Sequence, residues 1–142
     1  MKTLNIGCGY LNREESEIGI DINFDCKPDV CGDIQNLPFK DEMFESINAI
    51  HVLEHIPNIV KAMNEAWRIL KYNGTLNIRV PLFPTLGSIS DPTHVRFFVV
   101  PTFDYFTING KLTGLKHIFN NENIYIRNLS QNTQEIVCRM RK

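Results

Sequence analysis

The sequence has no excess of charge, no long apolar run and no paired-cysteine motif, and each absence excludes a class of function. Fifteen Lys and Arg against sixteen Asp and Glu leave a formal net charge of -1. That balance lacks the basic footprint selected by long phosphate backbones, so nucleic acid is not an expected partner. The basic ending "RMRK" is too short to change this. No apolar stretch reaches bilayer-crossing length, and no charged start leads into an apolar signal region, so a cytoplasmic location without a membrane partner is expected. Cys8, Cys26, Cys31 and Cys138 form no C-x-x-C pair and read as reduced structural thiols rather than a zinc site or disulfides. Internal repeats, low-complexity tracts and linkers are also missing.

What is present is a chain of 142 residues, 43% hydrophobic and 22% charged, the composition of one soluble globular domain spanning 1–142. "TLNI" and "EIGIDI" read as strands joined by a loop of about ten residues, and "PDVCGDI" as the end of a third. "FESINAIHV" is a near-continuous apolar run that suits a strand buried on both faces. From Pro57 to Leu70, Ile59, Ala62, Met63, Ala66, Trp67 and Leu70 recur at helical spacing, with Pro57 suited to a first helical turn. "YNG" then stops the helix and "TLNIRV" forms the next strand, ended by Pro81, in a right-handed parallel crossover. A long Pro-punctuated segment follows, with a short helix from Pro101 to Phe106. "NIYIRNL" and "TQEIVCRM" flank "SQN" as an antiparallel hairpin.

Chemistry-bearing residues gather at the strand ends. Gly7 and Gly9 follow the first strand, where a tight turn lets a ligand approach bare backbone. Asn12 stands where a dinucleotide fingerprint would place its third glycine, which argues against a nicotinamide-dependent reductase. Asp21 ends the second strand and Asp33 the third. Singly, each aspartate reads as a turn or cap residue. Three consecutive strand ends carrying G-x-G, Asp and Asp read instead as a nucleotide site.

"LNIGCG", "GIDI", "GDIQNLPF", "FESINAIHVLEHI" and "EAWRILKYNGTLNIRVP" resemble the motifs of class I S-adenosylmethionine-dependent methyltransferases over nearly the whole chain. The resemblance implies an α/β, Rossmann-like fold: a mostly parallel twisted sheet of about seven strands with an antiparallel C-terminal hairpin, its helices covering both faces incompletely. It further implies S-adenosylmethionine as cofactor and S-adenosylhomocysteine as product. Gly7 and Gly9 would admit the methionine part, Asp21 would bond the ribose diol, and Asp33 would meet the adenine amino group with Ile34 and Leu37 against the ring. Compared with the family, the chain is a small, N-terminally truncated member. It lacks the helices before the first strand, residues 10 to 17 leave no room for a helix, and "KYNG" replaces the usual Lys-Pro-Gly turn.

In "HVLEH", the H-x-x-E-H spacing of His51, Glu54 and His55 matches an inverted zinc-protease motif, which requires a continuous helix that a strand end and Pro57 do not allow. Alternatively His51, Glu54, His55 and His94 resemble the divalent-metal set of some methyltransferases acting on hydroxyl groups, with His51 replacing a glutamate and favouring a softer ion. The competing reading has Glu54 and His55 capping the helix and His51 lining the cofactor pocket. His94 is a candidate base or acceptor contact with Asp91 to orient it, Arg96 an anion contact or loop cover, and Trp67 and "FDYF" core packing. The expected activity is methyl transfer to a small-molecule acceptor. The alternative is a non-catalytic cofactor-binding or partner protein. Apolar sheet surface left bare by missing helices would favour a homodimer.

Overall fold

The computed structural model describes residues 1–10, 14, 17–107 and 112–142. Asn12 and most of the connection between the first two strands lie outside them. Seven strands form one sheet: β1 (Thr3–Ile6), β2 (Glu17–Asp21), β3 (Val30–Cys31), β4 (Phe44–Ile50), β5 (Leu70–Pro81), β6 (Asn120–Ser130) and β7 (Thr133–Arg141). Their order is β3-β2-β1-β4-β5-β7-β6. The first five pair in parallel, and β7 runs antiparallel to both β5 and β6. Chain direction across the sheet reverses between β1 and β4, the switch point at which open α/β sheets hold ligands.

Helix α1 (Ile59–Ile69) buries Ile59, Ala62, Met63, Ala66 and Ile69, the stripe its periodicity predicts. Burying side chains such as Met63 and Ile69 contributes about 1.5–3 kcal/mol each. The helix starts two residues after Pro57, because the Asn58 side chain accepts from the Lys61 amide at 3.0 Å and so caps it. Trp67 leaves the core stripe: its ring stacks on His117 at 3.8 Å, with Lys142 Nζ 4.0 Å from its centroid. The "YNG" turn does not precede β5 but bulges from it. Register against β4 jumps from Phe44 opposite Leu70 to Ser46 opposite Thr75. A four-residue helix α2 (Leu86–Ile89) and a 3-10 segment over Val100–Phe106 follow. Phe103 and Phe106 of that segment are buried, whereas Tyr105 is exposed.

The apolar core lies on one face of the sheet, which corrects the expectation of a β4 strand buried on both faces and of helices covering both. Leu4, Ile6, Ile47, Ala49, Leu76, Ile78, Val80, Ile136, Cys138 and Met140 alternate along their strands into a single core cluster that includes the buried residues of α1. On the opposite face Asn5, Asn48, Asn77, Arg139 and Asn123 stand in register across β1, β4, β5, β7 and β6. Asn77 Nδ2 donates to Asn48 Oδ1 at 2.9 Å, while Asn48 and Asn5 donate to the two oxygens of Glu17 at 2.6 and 3.0 Å. Among the described residues no helix covers this trough; strand residues line it together with Glu14. The β4 run is thus buried on one face only. Cross-strand side-chain amides and the Glu17 carboxylate pair with one another on this polar face.

Candidate cofactor cleft and adjoining pocket

A cleft of about 410 Å³ opens at the carboxyl ends of β1, β2 and β4, lined among others by Gly7, Asp21, Asp33, Ile34, His51 and His55. Gly7 has a φ of +65°, and a Cβ there would lie 2.5 Å from Val52 Cγ2 and 2.7 Å from Val52 Cβ. Only glycine allows the β1 end to pass the β4 end this closely. Gly9, also left-handed at φ +51°, has nothing among the described residues within 4 Å of its would-be Cβ. Its amide donates to Asp21 Oδ2 at 2.9 Å, and the Asn23 amide donates to Asp21 Oδ1 at 2.9 Å. The carboxylate that ends β2 is therefore fixed beside the glycine turn.

Asp33 caps the 3-10 turn Ile34–Asn36, its Oδ1 accepting from the Gln35 amide at 2.8 Å. Gln35 Nε2 also rests on both Asp33 oxygens, at 3.2 and 3.1 Å. Ile34 presents its side chain to the cleft, with Ile20, Ile22 and Ile56 supplying further apolar wall. Leu37 does not join it. It is 5% exposed within the core, and its amide donates to Glu65 Oε2 at 2.8 Å. Arg68 completes that anchor by donating to Glu65, Asp41 and the Phe39 and Leu37 carbonyls, so α1 clasps the loop after Asp33.

His51 ends β4 in a left-handed conformation, φ +52°, so no helix runs through "HVLEH" and the inverted protease motif is not formed. Leu53–His55 instead make one 3-10 turn. The imidazole lies between two carboxylates, Nδ1 at 3.4 Å from Glu54 Oε1 and Nε2 at 2.9 Å from Glu135 Oε2. Glu54 and Glu135 are 2% and 1% exposed. The hydrogen bond that His51 donates to Glu54 first, then the charges of Glu54 and Glu135, raise the His51 pKa against the opposing effect of burial. Arg127 Nη2 meets the other Glu135 oxygen at 2.5 Å. Glu135 and Arg127 were not legible as site residues, since they reach His51 only through the register of the terminal hairpin.

A second pocket of about 260 Å³ shares His51 and His55 with the cleft and adds Glu54, Asp91, His94, Leu129 and Gln134. The segment after α2 is fastened to the turn beneath it. Val95 N donates to the Glu54 carbonyl at 3.0 Å, and Arg96 Nη2 to the Pro57 carbonyl at 2.9 Å. Arg96 thus holds the loop. His94 is half-buried with its side chain turned inward, 6% exposed, and its Nδ1 donates to the Ser88 carbonyl at 2.8 Å. Asp91 Oδ2 stands 3.8 Å from His94 Nε2, while its Oδ1 accepts from the amide and the hydroxyl of Thr93. The ring is oriented by Ser88 rather than by Asp91, because Thr93 holds the aspartate in its own turn.

Strand order 3-2-1-4-5-7-6 with one antiparallel strand, and a cleft at the switch point, define the class I methyltransferase fold. The family model described as a methyltransferase domain matches residues 4–78, more than half of the chain. The chain belongs to the methyltransferase domain family. It is 37% identical over 89 residues to an uncharacterised protein of Methanocaldococcus jannaschii, covering 54% of this chain and 39% of that one. It is 41% identical over 66 residues to a sterol 4-C-methyltransferase of Caenorhabditis elegans, covering 42% of this chain and 20% of that one. The chain therefore spans well under half the length of these curated relatives. The crystal structure of a candidate methyltransferase from Bacillus halodurans C-125 superposes over 99% of this chain and 92% of its own, with a TM-score of 0.79 and 15% identity. No described helix is long and apolar enough to cross a membrane.

Proposed function

We propose that the chain binds S-adenosylmethionine in the switch-point cleft and transfers its methyl group to a small-molecule acceptor in the adjoining pocket. The observation that carries this reading is the convergence of Gly7, Asp21, Asp33, Ile34 and His51 on one cleft. The open left-handed turn at Gly9 suits the methionine part of the cofactor. Asp21, already fixed by two backbone amides, has acceptor capacity left for a ribose diol. At Asp33 the Gln35 amide occupies the position that an adenine amino group would take, so binding would exchange one N–H donor for another. His51 lines the passage between cleft and pocket, where Glu54 and Glu135 fix its ring.

The reaction would be in-line attack of the acceptor on the sulfonium methyl, with catalysis supplied mainly by holding both reactants at attack distance. His94, oriented by Ser88, would contact the acceptor and take a proton if the nucleophile must lose one. Calorimetric titration with S-adenosylhomocysteine tests the cofactor. Saturable binding at low micromolar concentration supports the reading; absence of binding, with nicotinamide dinucleotides also inert, overturns it. Cofactor binding without turnover against any acceptor would favour the non-catalytic alternative. His94→Ala is expected to keep S-adenosylhomocysteine affinity and lose transfer, and an active variant would remove His94 from the chemistry.

A further inference from the structure

We propose that Glu54, His55 and His94 form a site for a single borderline first-row divalent cation, with zinc as the reference ion. One ligand atom from each of the three lies within 4.8 Å of the others. Two sets of hydrogen bonds prepare the site. His94 Nδ1 gives its proton to the Ser88 carbonyl at 2.8 Å, which leaves Nε2 of the neutral ring as a lone pair. The Thr93 hydroxyl donates its one proton to Asp91 Oδ1 at 2.6 Å, so towards His55 it can only accept. His55 Nδ1, 3.1 Å from that hydroxyl and 3.3 Å from the Thr93 carbonyl, is therefore the donor, and His55 Nε2 is a second lone pair. With Nδ1 committed in both rings, each neutral imidazole keeps Nε2 as the nitrogen able to ligate, held by the kind of outer-shell partner that fixes metal-binding histidines.

The carboxylate supplies an independent sign. Glu54 is 2% exposed and its Oε2 has no hydrogen-bond partner among the described residues, although an isolated buried carboxylate oxygen is costly. A cation would satisfy it. His51, expected as a fourth ligand, has both ring nitrogens committed to Glu54 and Glu135 and so positions Glu54 instead. Two imidazoles and one carboxylate suit zinc or ferrous iron and are poor ligands for magnesium. Zinc bonds of about 2.0–2.2 Å imply ligand separations of roughly 3.4 Å, so ligand atoms now up to 4.8 Å apart must approach one another by up to about 1.4 Å on the ion. Three protein ligands leave the fourth position to water. The bound ion would take the His94 lone pair that otherwise receives a proton. The site itself stands on these contacts, whether or not the chain transfers methyl groups.

The test uses the chelator-treated protein without cofactor, titrated calorimetrically with zinc chloride and followed by visible absorption with cobalt chloride. One equivalent of each is expected, with magnesium giving no saturable signal. Glu54→Gln and His94→Ala should each weaken zinc binding at least about tenfold, whereas His117→Ala, on the far side of Trp67, should not. Absence of saturable zinc binding to the unaltered protein overturns the proposal. So does a thiolate-to-cobalt charge-transfer band, which would assign the ion to one of the four cysteines. Undiminished affinity in both variants overturns it as well. If a variant fails to fold by circular dichroism, the titration and cobalt spectrum of the unaltered protein still decide. S-adenosylhomocysteine affinity of the metal-free protein is measured separately, so failure of the metal site and failure of the cofactor reading are distinguishable.

Discussion

Gly7→Ala and Gly9→Ala separate the structural glycine from the ligand-facing one. Both residues have positive φ, and placing an L side chain in a left-handed conformation costs about 1–2 kcal/mol. At Gly9 that is the cost expected for the free protein, because nothing among the described residues stands within 4 Å of the new methyl group. At Gly7 the methyl group would lie 2.5 Å from Val52 Cγ2 and 2.7 Å from Val52 Cβ. Rotating Val52 can move the Cγ2 atom but not the Cβ, so the β4 end itself must shift. Overpacking of this kind adds about 1–3 kcal/mol, for a total near 2–5 kcal/mol. Equilibrium urea unfolding at constant m should therefore rank Gly7→Ala well below Gly9→Ala. Gly9→Ala should remain folded yet bind S-adenosylhomocysteine more weakly, because its methyl group occupies space assigned to the cofactor. Equal destabilisation by both changes would refute the packing argument. Full affinity in Gly9→Ala would refute the cofactor placement.

Asp21→Ala should weaken S-adenosylhomocysteine binding by about 1.5–3 kcal/mol, the range for a charged hydrogen bond, as read by calorimetry; unchanged affinity would exclude a ribose contact. Glu65 has its pKa lowered, first by the Arg68 hydrogen bond, so its stabilisation is present above the unfolded carboxylate value near pH 4.3 and is lost as pH falls through the folded one. Thermal melts from pH 6 to pH 3 should then show a shallower acid loss in Glu65→Gln than in the parent. Glu135→Gln removes one of the two carboxylates that raise His51, and the imidazole should titrate at lower pH by NMR; an unmoved titration would contradict the clamp. Asn58→Ala should cost about 1 kcal/mol in urea unfolding through loss of the α1 cap.

Local signals carried much of this protein. The glycine turn, the aspartates ending β2 and β3, the α1 stripe and the terminal hairpin depend on φ preference and on periods of 2 and 3.6 residues, which a sequence displays directly. The choice of sheet face was legible too, in the repeated triplets Leu4-Asn5-Ile6, Ile47-Asn48-Ala49 and Leu76-Asn77-Ile78, where a central amide marks a face turned to water. Reading β4 as a continuous apolar run hid that signal. Tertiary structure alone decided which distant residues meet. Glu135 reaches His51 across 84 positions because β7 runs antiparallel beside β5, and a shift of one residue in that register would turn it to the other face. His94 reaches Glu54 and His55 because two hydrogen bonds fasten its loop to the turn after β4. Strand and helix propensities act within a few residues, whereas these encounters depend on pairing register and loop docking, which are settled only when the whole sheet is assembled.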